Sequence, residues 1–132
     1  MQQQGEPPER VRRLGDAVPP PSAYARTYRL GDITVVELSG ELDLGSAPYV
    51  DPHLEAAASW PAPFTVVLDL GPVEFVDCFG LSLLVRARRR IVDRGGRLLM
   101  ACAHPPTRKL LALTGLDGVF HPVHTLQQAL AL

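Results

Sequence analysis

The sequence predicts a single α/β domain with a mainly parallel sheet of four to five strands, an N-terminal antiparallel strand and about four helices. Two observations predict this class. Apolar runs of strand length alternate with helix-like segments from Ala23 onward, and 46% of the 132 residues are hydrophobic. Strands alternating with helices form βαβ units, whose right-handed crossovers make a mostly parallel sheet. We assign residues 23–132 to this domain.

Two strands open the domain: "YARTYRL" and "ITVVELSG", which a tight turn at Gly31-Asp32 joins into a hairpin. A helix follows within "ELDLGSAPYVDPHLEAAASW", with Ser46 as its N-cap and a proline in its first turn. Pro52 lies only a few residues further on, so this helix is expected either to be kinked or to begin later.

The second half of the chain continues the alternation. Phe64 to Leu70 is almost continuously apolar, as expected of a parallel strand covered on both faces. The main helix is predicted from Gly80 to Arg94, where two glycines stop it. A buried strand, a helix, a short strand and a last helix follow in this order: Arg97–Ala103, Pro105–Gly115, Gly118–Val123, and a final helix capped by His124 or Thr125.

The main helix has two distinct sides when it is projected at 100° per residue. Its apolar side carries Leu81, Leu84, Val85, Ala87, Ile91 and Val92. Its polar side must face solvent or a partner and carries Ser82, Arg86, Arg89 and Asp93. Arg88 falls on the apolar side, where we expect its stem to lie along the core edge with the guanidinium in water.

Composition excludes several classes of protein. Residues 1–22 hold five of the thirteen prolines and little apolar surface, which predicts a disordered tail. The net charge of −1 gives no pull toward nucleic acid or an anionic membrane, and no apolar run is long enough to span a bilayer. Without an apolar signal sequence, the two cysteines are expected to be free thiols in a reducing cytoplasm.

The motifs for common chemistries are missing or poorly formed. The sequence holds no phosphate-binding glycine loop of either common type. A C-x-H pair and an H-x-x-H pair occur, but their spacing matches no common zinc motif. We expect Cys102 to pack in the core and the histidines to lie in surface loops: His104, His121 and His124. Cys78 has no neighbouring base to make it a nucleophile. We therefore expect no enzyme, no metal and no cofactor.

The turn "VDCFGL" is the most informative segment, because a strand ends there and the main helix begins. A helix N-terminus gathers free N–H groups and the positive end of the helix dipole, which suits an anion such as a phosphate added to a side chain. Asp77 is also placed to cap the helix, and the two roles are compatible.

Three segments, in this order and spacing, resemble the STAS domain of anti-sigma factor antagonists over Thr27 to Leu132. They are "LSGELD", "VLDLGPVEFVDCFGLSLL" and "RRIVDRGGRLLMACAHPPTRKLLALTGLDGVF". In that family the turn typically contains Asp-Ser-[Ser/Thr]-Gly-Leu, and a partner anti-sigma factor with a GHKL-type ATPase fold phosphorylates its first serine. The unphosphorylated antagonist binds the anti-sigma factor and so releases sigma, and phosphorylation disrupts this binding.

The resemblance implies roles for particular residues. Asp77, Gly80 and Leu81 match the family turn, and Asp43 matches the aspartate of a Gly-x-Leu-Asp motif near the phosphorylation site. Cys78 stands in place of the serine, and Phe79 in place of the second hydroxyl residue. Phe79 is either a contact of altered specificity or a side chain tucked into the domain. The exposed side of the main helix should join the turn and Asp43 in contacting the partner, although a charged helix face is more commonly just solvated. The predicted partner-binding set is Asp43, Asp77, Cys78, Phe79, Gly80, Leu81, Ser82, Arg86 and Arg89.

The sequence therefore predicts a divergent anti-sigma factor antagonist whose partner is a serine-kinase anti-sigma factor, and not a nucleic acid or a membrane. Two alternatives remain open. One is a structural STAS module within a larger signalling assembly. The other is a thiol redox sensor that uses Cys78.

Overall fold

The computed structural model describes residues 18–132, so most of the predicted tail lies outside the described part of the chain. Six strands and five helices occur in that part. The strands are β1 (Ala25–Leu30), β2 (Ile33–Leu38), β3 (Gly40–Leu42), β4 (Phe64–Asp69), β5 (Val73–Val76) and β6 (Gly96–Ala101). The helices are α1 (Ala47–Ala57), α2 (Cys78–Asp93), α3 (Pro105–Leu113), α4 (Asp117–Phe120) and α5 (Leu126–Leu130).

The main sheet has the strand order β1-β2-β4-β6. β1 is antiparallel to β2, and the hairpin closes with Leu30 opposite Ile33. Gly31 occupies the turn with a φ of 60°, a conformation that glycine adopts without steric cost. The pairs β2–β4 and β4–β6 are both parallel. The predicted fold class is confirmed, including the antiparallel N-terminal strand.

The sheet separates two apolar cores of unequal size. The larger core joins side chains of the sheet, such as Val36 and Leu68, to buried residues of α1 and α2, such as Leu54 and Leu84. The smaller core lies on the opposite face, where α5 packs over β4 and the edge strand β6, with Ala129 fully buried. Helices therefore cover both faces, which explains why β4 is an almost unbroken apolar run.

A second, two-stranded sheet was not predicted. β3 and β5 pair in parallel, with Leu42 opposite Val76. Both strands are shorter than a typical strand, and their sequences "GEL" and "VEFV" show too little alternation of apolar and polar residues to predict a strand. This small sheet brings the end of β3 next to the start of α2, and it therefore positions the candidate site.

The predicted strand at Gly118–Val123 is wrong, because its first half is helical. The N–H of Phe120 bonds to the carbonyl of Leu116 at 2.9 Å, which forms α4. His121 then adopts a left-handed conformation with φ 47° and ends the helix, and Pro122 has no N–H to extend a strand. Only Val123 makes a β-bridge, to Ala101. This segment raises the helix count from the predicted four to five.

Helix α1 begins at Ala47 and continues through Pro52 rather than starting after it. On this helix His53 is buried. Its Nδ1 lies 2.7 Å from Oγ1 of Thr27, and its Nε2 lies 3.2 Å from the carbonyl oxygen of Pro20. Through that contact α1 holds the segment that precedes β1. None of the helices between residues 18 and 132 has both the length and the apolar character required to cross a membrane.

Candidate functional site

The turn between β5 and α2 is fixed by the side chain of Asp77. Its backbone is extended, and its Oδ1 accepts a hydrogen bond from the N–H of Gly80 at 2.8 Å. Its carbonyl accepts the N–H of Leu81 at 2.9 Å. Asp77 is therefore the predicted N-cap. The helix starts at Cys78, two residues before the predicted start, so Cys78 and Phe79 lie in its first turn.

Gly80 is required by space rather than by backbone conformation. A Cβ at this position would lie 2.1 Å from the carbonyl oxygen of Leu42, a distance that real Cβ atoms do not adopt. The same carbonyl accepts the N–H of Asp77 at 3.3 Å. The start of α2 is thus pressed against the end of β3, and only glycine permits this approach.

Asp43 follows β3 directly and orders the loop that leads to α1. Its Oδ1 accepts the N–H of Ser46 at 3.0 Å, and its own N–H bonds to Oγ of Ser46 at 3.1 Å. This reciprocal pair resembles a capping box. Ser46 precedes α1 as predicted, but its hydroxyl bonds back to Asp43 instead of capping α1. Because Leu42 contacts the start of α2, Asp43 is held beside the turn.

The turn residues divide into buried and exposed positions. Gly80 and Leu81 are buried and hold the turn against the domain. Cys78 is exposed, and Phe79 retains 37% of its surface accessible to solvent. Phe79 is thus not tucked into the core, and both side chains are available for contact.

The exposed side of α2 has the composition that the sequence predicts. Ser82, Arg86 and Arg89 are all exposed. Within residues 18–132 neither Arg86 nor Arg89 has an acidic group at ion-pair distance, whereas Arg90 and Arg94 both pair with Glu55. The side of α2 that continues from the turn therefore presents two arginines that no carboxylate of the described residues pairs with.

A shallow groove of about 290 Å³ opens beside Cys78. Its surface is almost entirely apolar, and its lining includes Leu116 from the loop before α4. Sequence reasoning missed Leu116, because no local pattern links it to a turn so distant along the chain. The groove exists only because the loop before α4 packs beside α2.

The residues weighed as metal ligands do not come together. Cys102 is fully buried, and burial raises the pKa of its thiol. Nδ1 of His104 lies 2.9 Å from Oγ1 of Thr107. No group of three or more His, Cys, Asp or Glu side chains is placed to hold a metal ion within the part of the chain that the structure describes.

Comparison with known proteins gives consistent matches. A sequence model of the family described as STAS domain matches residues 24–129. The chain is 30% identical to the anti-sigma F factor antagonist of Paenibacillus polymyxa over 84 residues, which cover 64% of this chain and 72% of that protein. It is 38% identical to sulfate anion transporter 1 of Homo sapiens over 76 residues, or 58% of this chain and 10% of the transporter.

A solved structure agrees with these matches. The crystal structure of an anti-sigma factor antagonist from Mycobacterium paratuberculosis has a TM-score of 0.68 and 32% sequence identity, and the match covers 86% of this chain and 96% of that one. The family match includes both sheets, the capped turn and the whole of α2. The chain therefore belongs to the STAS domain family and is homologous to anti-sigma factor antagonists.

Proposed function

We propose that this protein is a cytoplasmic anti-sigma factor antagonist, which binds an anti-sigma factor and so releases a sigma factor. The observation that carries the proposal is the exposed Cys78 at the start of α2, on a turn capped by Asp77 and pressed against β3. In the family that this chain resembles, the residue at this position is the one whose modification controls binding. The protein acts by binding and catalyses no reaction.

The partner in this proposal is an anti-sigma factor of the serine-kinase type with a GHKL-type fold. Its contact surface comprises the turn, the loop at Asp43 and the exposed side of α2 with Ser82, Arg86 and Arg89. Two features support this surface: Phe79 is partly exposed, and the two arginines have no acidic partner among residues 18–132. A partner that places carboxylates opposite these arginines would compensate their charge.

Cys78 changes how the protein is switched. Sulfur in place of oxygen keeps nearly the shape of an unphosphorylated serine, but a serine kinase is not expected to phosphorylate a thiol. Ser82 carries the nearest hydroxyl along the chain, roughly one helical turn further on, and its Oγ already donates to the carbonyl of Phe79 at 2.6 Å. We therefore propose that the protein remains competent to bind while ATP and the kinase are present.

Binding measurements with purified anti-sigma factors of the serine-kinase type test this function. Titration calorimetry should show a one-to-one complex with at least one such factor from the organism that encodes the chain. Cys78→Ala should retain binding, whereas Cys78→Asp should weaken it by placing a charge within the contact. If none of these factors binds the wild-type protein, the proposal is wrong.

One observation favours a second candidate. The chain matches a region that makes up a tenth of sulfate anion transporter 1, so a STAS domain also occurs as one module of a much larger protein. In that case the domain would bind other parts of its assembly and no anti-sigma factor. A pull-down with the wild-type domain from a lysate of its source organism distinguishes the two candidate functions. An anti-sigma factor antagonist should recover an anti-sigma factor, whereas a module of a larger assembly should not.

The redox alternative is tested at the same residue. Asp77 carries a full negative charge near Cys78, while the helix dipole contributes about half a positive charge, so we expect no strongly activated thiol. The rate of alkylation by iodoacetamide at neutral pH should match that of a free cysteine. A much faster rate would favour a redox sensor. Because Cys102 is buried, the rate reports on Cys78.

A further inference from the structure

The apolar groove beside the turn has a composition that a phosphorylation site does not require. Six residues line it, from the first turns of α2 and from the loop before α4: Cys78, Leu81, Ser82, Val85, Arg86 and Leu116. Val85 and Leu116 are only partly buried, and both pack against the larger core with their inner surfaces. Their outer surfaces form an apolar depression directly next to residue 78.

Ser82 and Cys78 add little polarity to the groove that they line. The hydroxyl of Ser82 donates to the carbonyl of Phe79 at 2.6 Å, so its hydrogen is already bonded. A free cysteine behaves as a small apolar side chain with a weak donor. With serine at position 78, a hydroxyl would line the groove and would lose contact with water whenever an apolar group entered.

Arg86 supplies the only positive charge among the groove-lining residues. It is exposed, and within residues 18–132 no carboxylate lies at ion-pair distance from it. The groove thus combines an apolar floor with an uncompensated cation. This combination fits a partner segment that has an aliphatic side chain beside an acidic one.

We propose that the groove receives an aliphatic side chain of the anti-sigma factor, next to an acidic residue that pairs with Arg86. Cys78 and Leu116 then determine specificity, because both line the depression, one from the start of α2 and the other from the loop before α4. This inference rests on the proposed function and adds the chemistry of the contact. It also gives the thiol a role beyond its resemblance to serine: it keeps the wall of the groove apolar.

Disulfide exchange at Cys78 tests the groove without any partner. The full-length protein is equilibrated with hydroxyethyl disulfide or with isobutyl hydroxyethyl disulfide over a series of 2-mercaptoethanol concentrations. The Cys78 thiolate attacks one sulfur of the reagent, in the mixed disulfide the one that bears the isobutyl group. The S–S bond of the reagent breaks as the S–S bond between protein and reagent forms, and 2-mercaptoethanol leaves as a thiolate that takes up a proton. Intact-mass spectrometry gives the labelled fraction, and Cys78→Ala identifies the site, since Cys102 is buried.

The 2-mercaptoethanol concentration that removes half of the label should be about tenfold higher for the isobutyl label than for the hydroxyethyl label, because the isobutyl group buries apolar surface in the groove. Leu116→Ser should remove this preference. Leu113→Ser is the matched control, since Leu113 is 75% exposed and lies outside the groove, and it should leave the preference unchanged. Equal retention of the two groups by the wild type overturns the proposal.

The second arm uses an anti-sigma factor that binds the wild type. Leu116→Ala should weaken this binding by about tenfold or more, with Leu113→Ala as the control and the melting temperature as a check on folding. Unchanged affinity for Leu116→Ala overturns the proposal and leaves the proposed function standing. A free protein that is dimeric, and becomes monomeric with Leu116→Ser, overturns it in favour of a second copy as the occupant.

Discussion

Gly80 approaches Leu42 so closely that a Cβ on Gly80 would lie 2.1 Å from the Leu42 carbonyl oxygen. This contact joins α2 to β3, and through β3 it places Asp43 beside the turn that carries Cys78. The carbonyl also accepts the N–H of Asp77, so a shift of α2 would break a hydrogen bond as well as a packing contact. The geometry of the candidate site therefore depends on one residue without a side chain.

Gly80→Ala should destabilise the protein by about 2 kcal/mol or more, because the added methyl meets backbone that cannot move without distorting β3. Chemical denaturation measures this free energy of unfolding. Gly118→Ala is the matched control: it lies in α4, and a Cβ there meets nothing within 4 Å. Equal stability of Gly80→Ala and the wild type would contradict the close contact.

Asp77→Ala should lower the free energy of unfolding by about 1 kcal/mol, the usual effect of losing an N-cap. Asp77→Asn should retain most of the stability, since an asparagine oxygen can accept the same bond from Gly80. The affinities of Asp77→Ala and Asp77→Asn for the anti-sigma factor then distinguish the effect of the helix cap from the effect of the carboxylate charge. If Asp77→Asn folds normally and loses binding, the carboxylate itself contacts the partner. A stable Asp77→Ala protein would show that the cap contributes little.

Arg86→Glu should weaken binding to the anti-sigma factor with little change in melting temperature, because Arg86 is exposed and unpaired within residues 18–132. A charge at the edge of an interface acts mainly on the association rate. The loss should therefore appear in that rate and shrink at high salt. Lys109→Glu, an exposed charge reversal on α3, is the control. Unchanged binding by Arg86→Glu would remove this side of α2 from the interface.

His53 makes stability depend on pH. Burial lowers its pKa in the folded protein, partly opposed by the hydrogen bond to the Pro20 carbonyl. Below its ordinary pKa of about 6.5, the unfolded chain binds a proton more readily than the folded one. Stability should therefore be fully present above that value and fall as pH drops toward the lower, folded pKa. A His53→Gln variant should show a shallower fall between neutral and mildly acidic pH; the same slope would contradict this account.

The sequence and the structure agree wherever a segment's own pattern decides its conformation. The hairpin at Gly31 and the apolar run of β4 were predictable because turn residues and continuous apolar character act locally. The short strands β3 and β5 were not, since each is stabilised by pairing with the other rather than by its own residues. Val119 and Phe120 were predicted as strand, a conformation that both residue types favour, but hydrogen bonds from their N–H groups to the carbonyl of Leu116 make them helical.

The candidate site shows the same division. The cap at Asp77 and the exposure of Arg86 and Arg89 followed from spacing alone. The packing of Gly80 against Leu42 and the position of Leu116 did not, because both depend on segments that meet only in the folded chain. Val92 was predicted on the apolar side of α2, but 44% of its surface is exposed. Helical periodicity indicates on which side of the helix a side chain lies, and not whether another segment covers that side chain.

The turn at Cys78, in the function that we propose, binds an anti-sigma factor without being switched off by the kinase activity of that factor. The most direct measurement compares the wild type and Cys78→Ser in complex with the same anti-sigma factor, before and after ATP is added, with intact-mass spectrometry on each. We predict that the wild-type complex persists after ATP is added and that the wild-type protein gains no covalent phosphate. Any phosphorylation and release should occur only with Cys78→Ser. Stoichiometric phosphate on Ser82 of the wild type, with loss of the complex, would contradict the account.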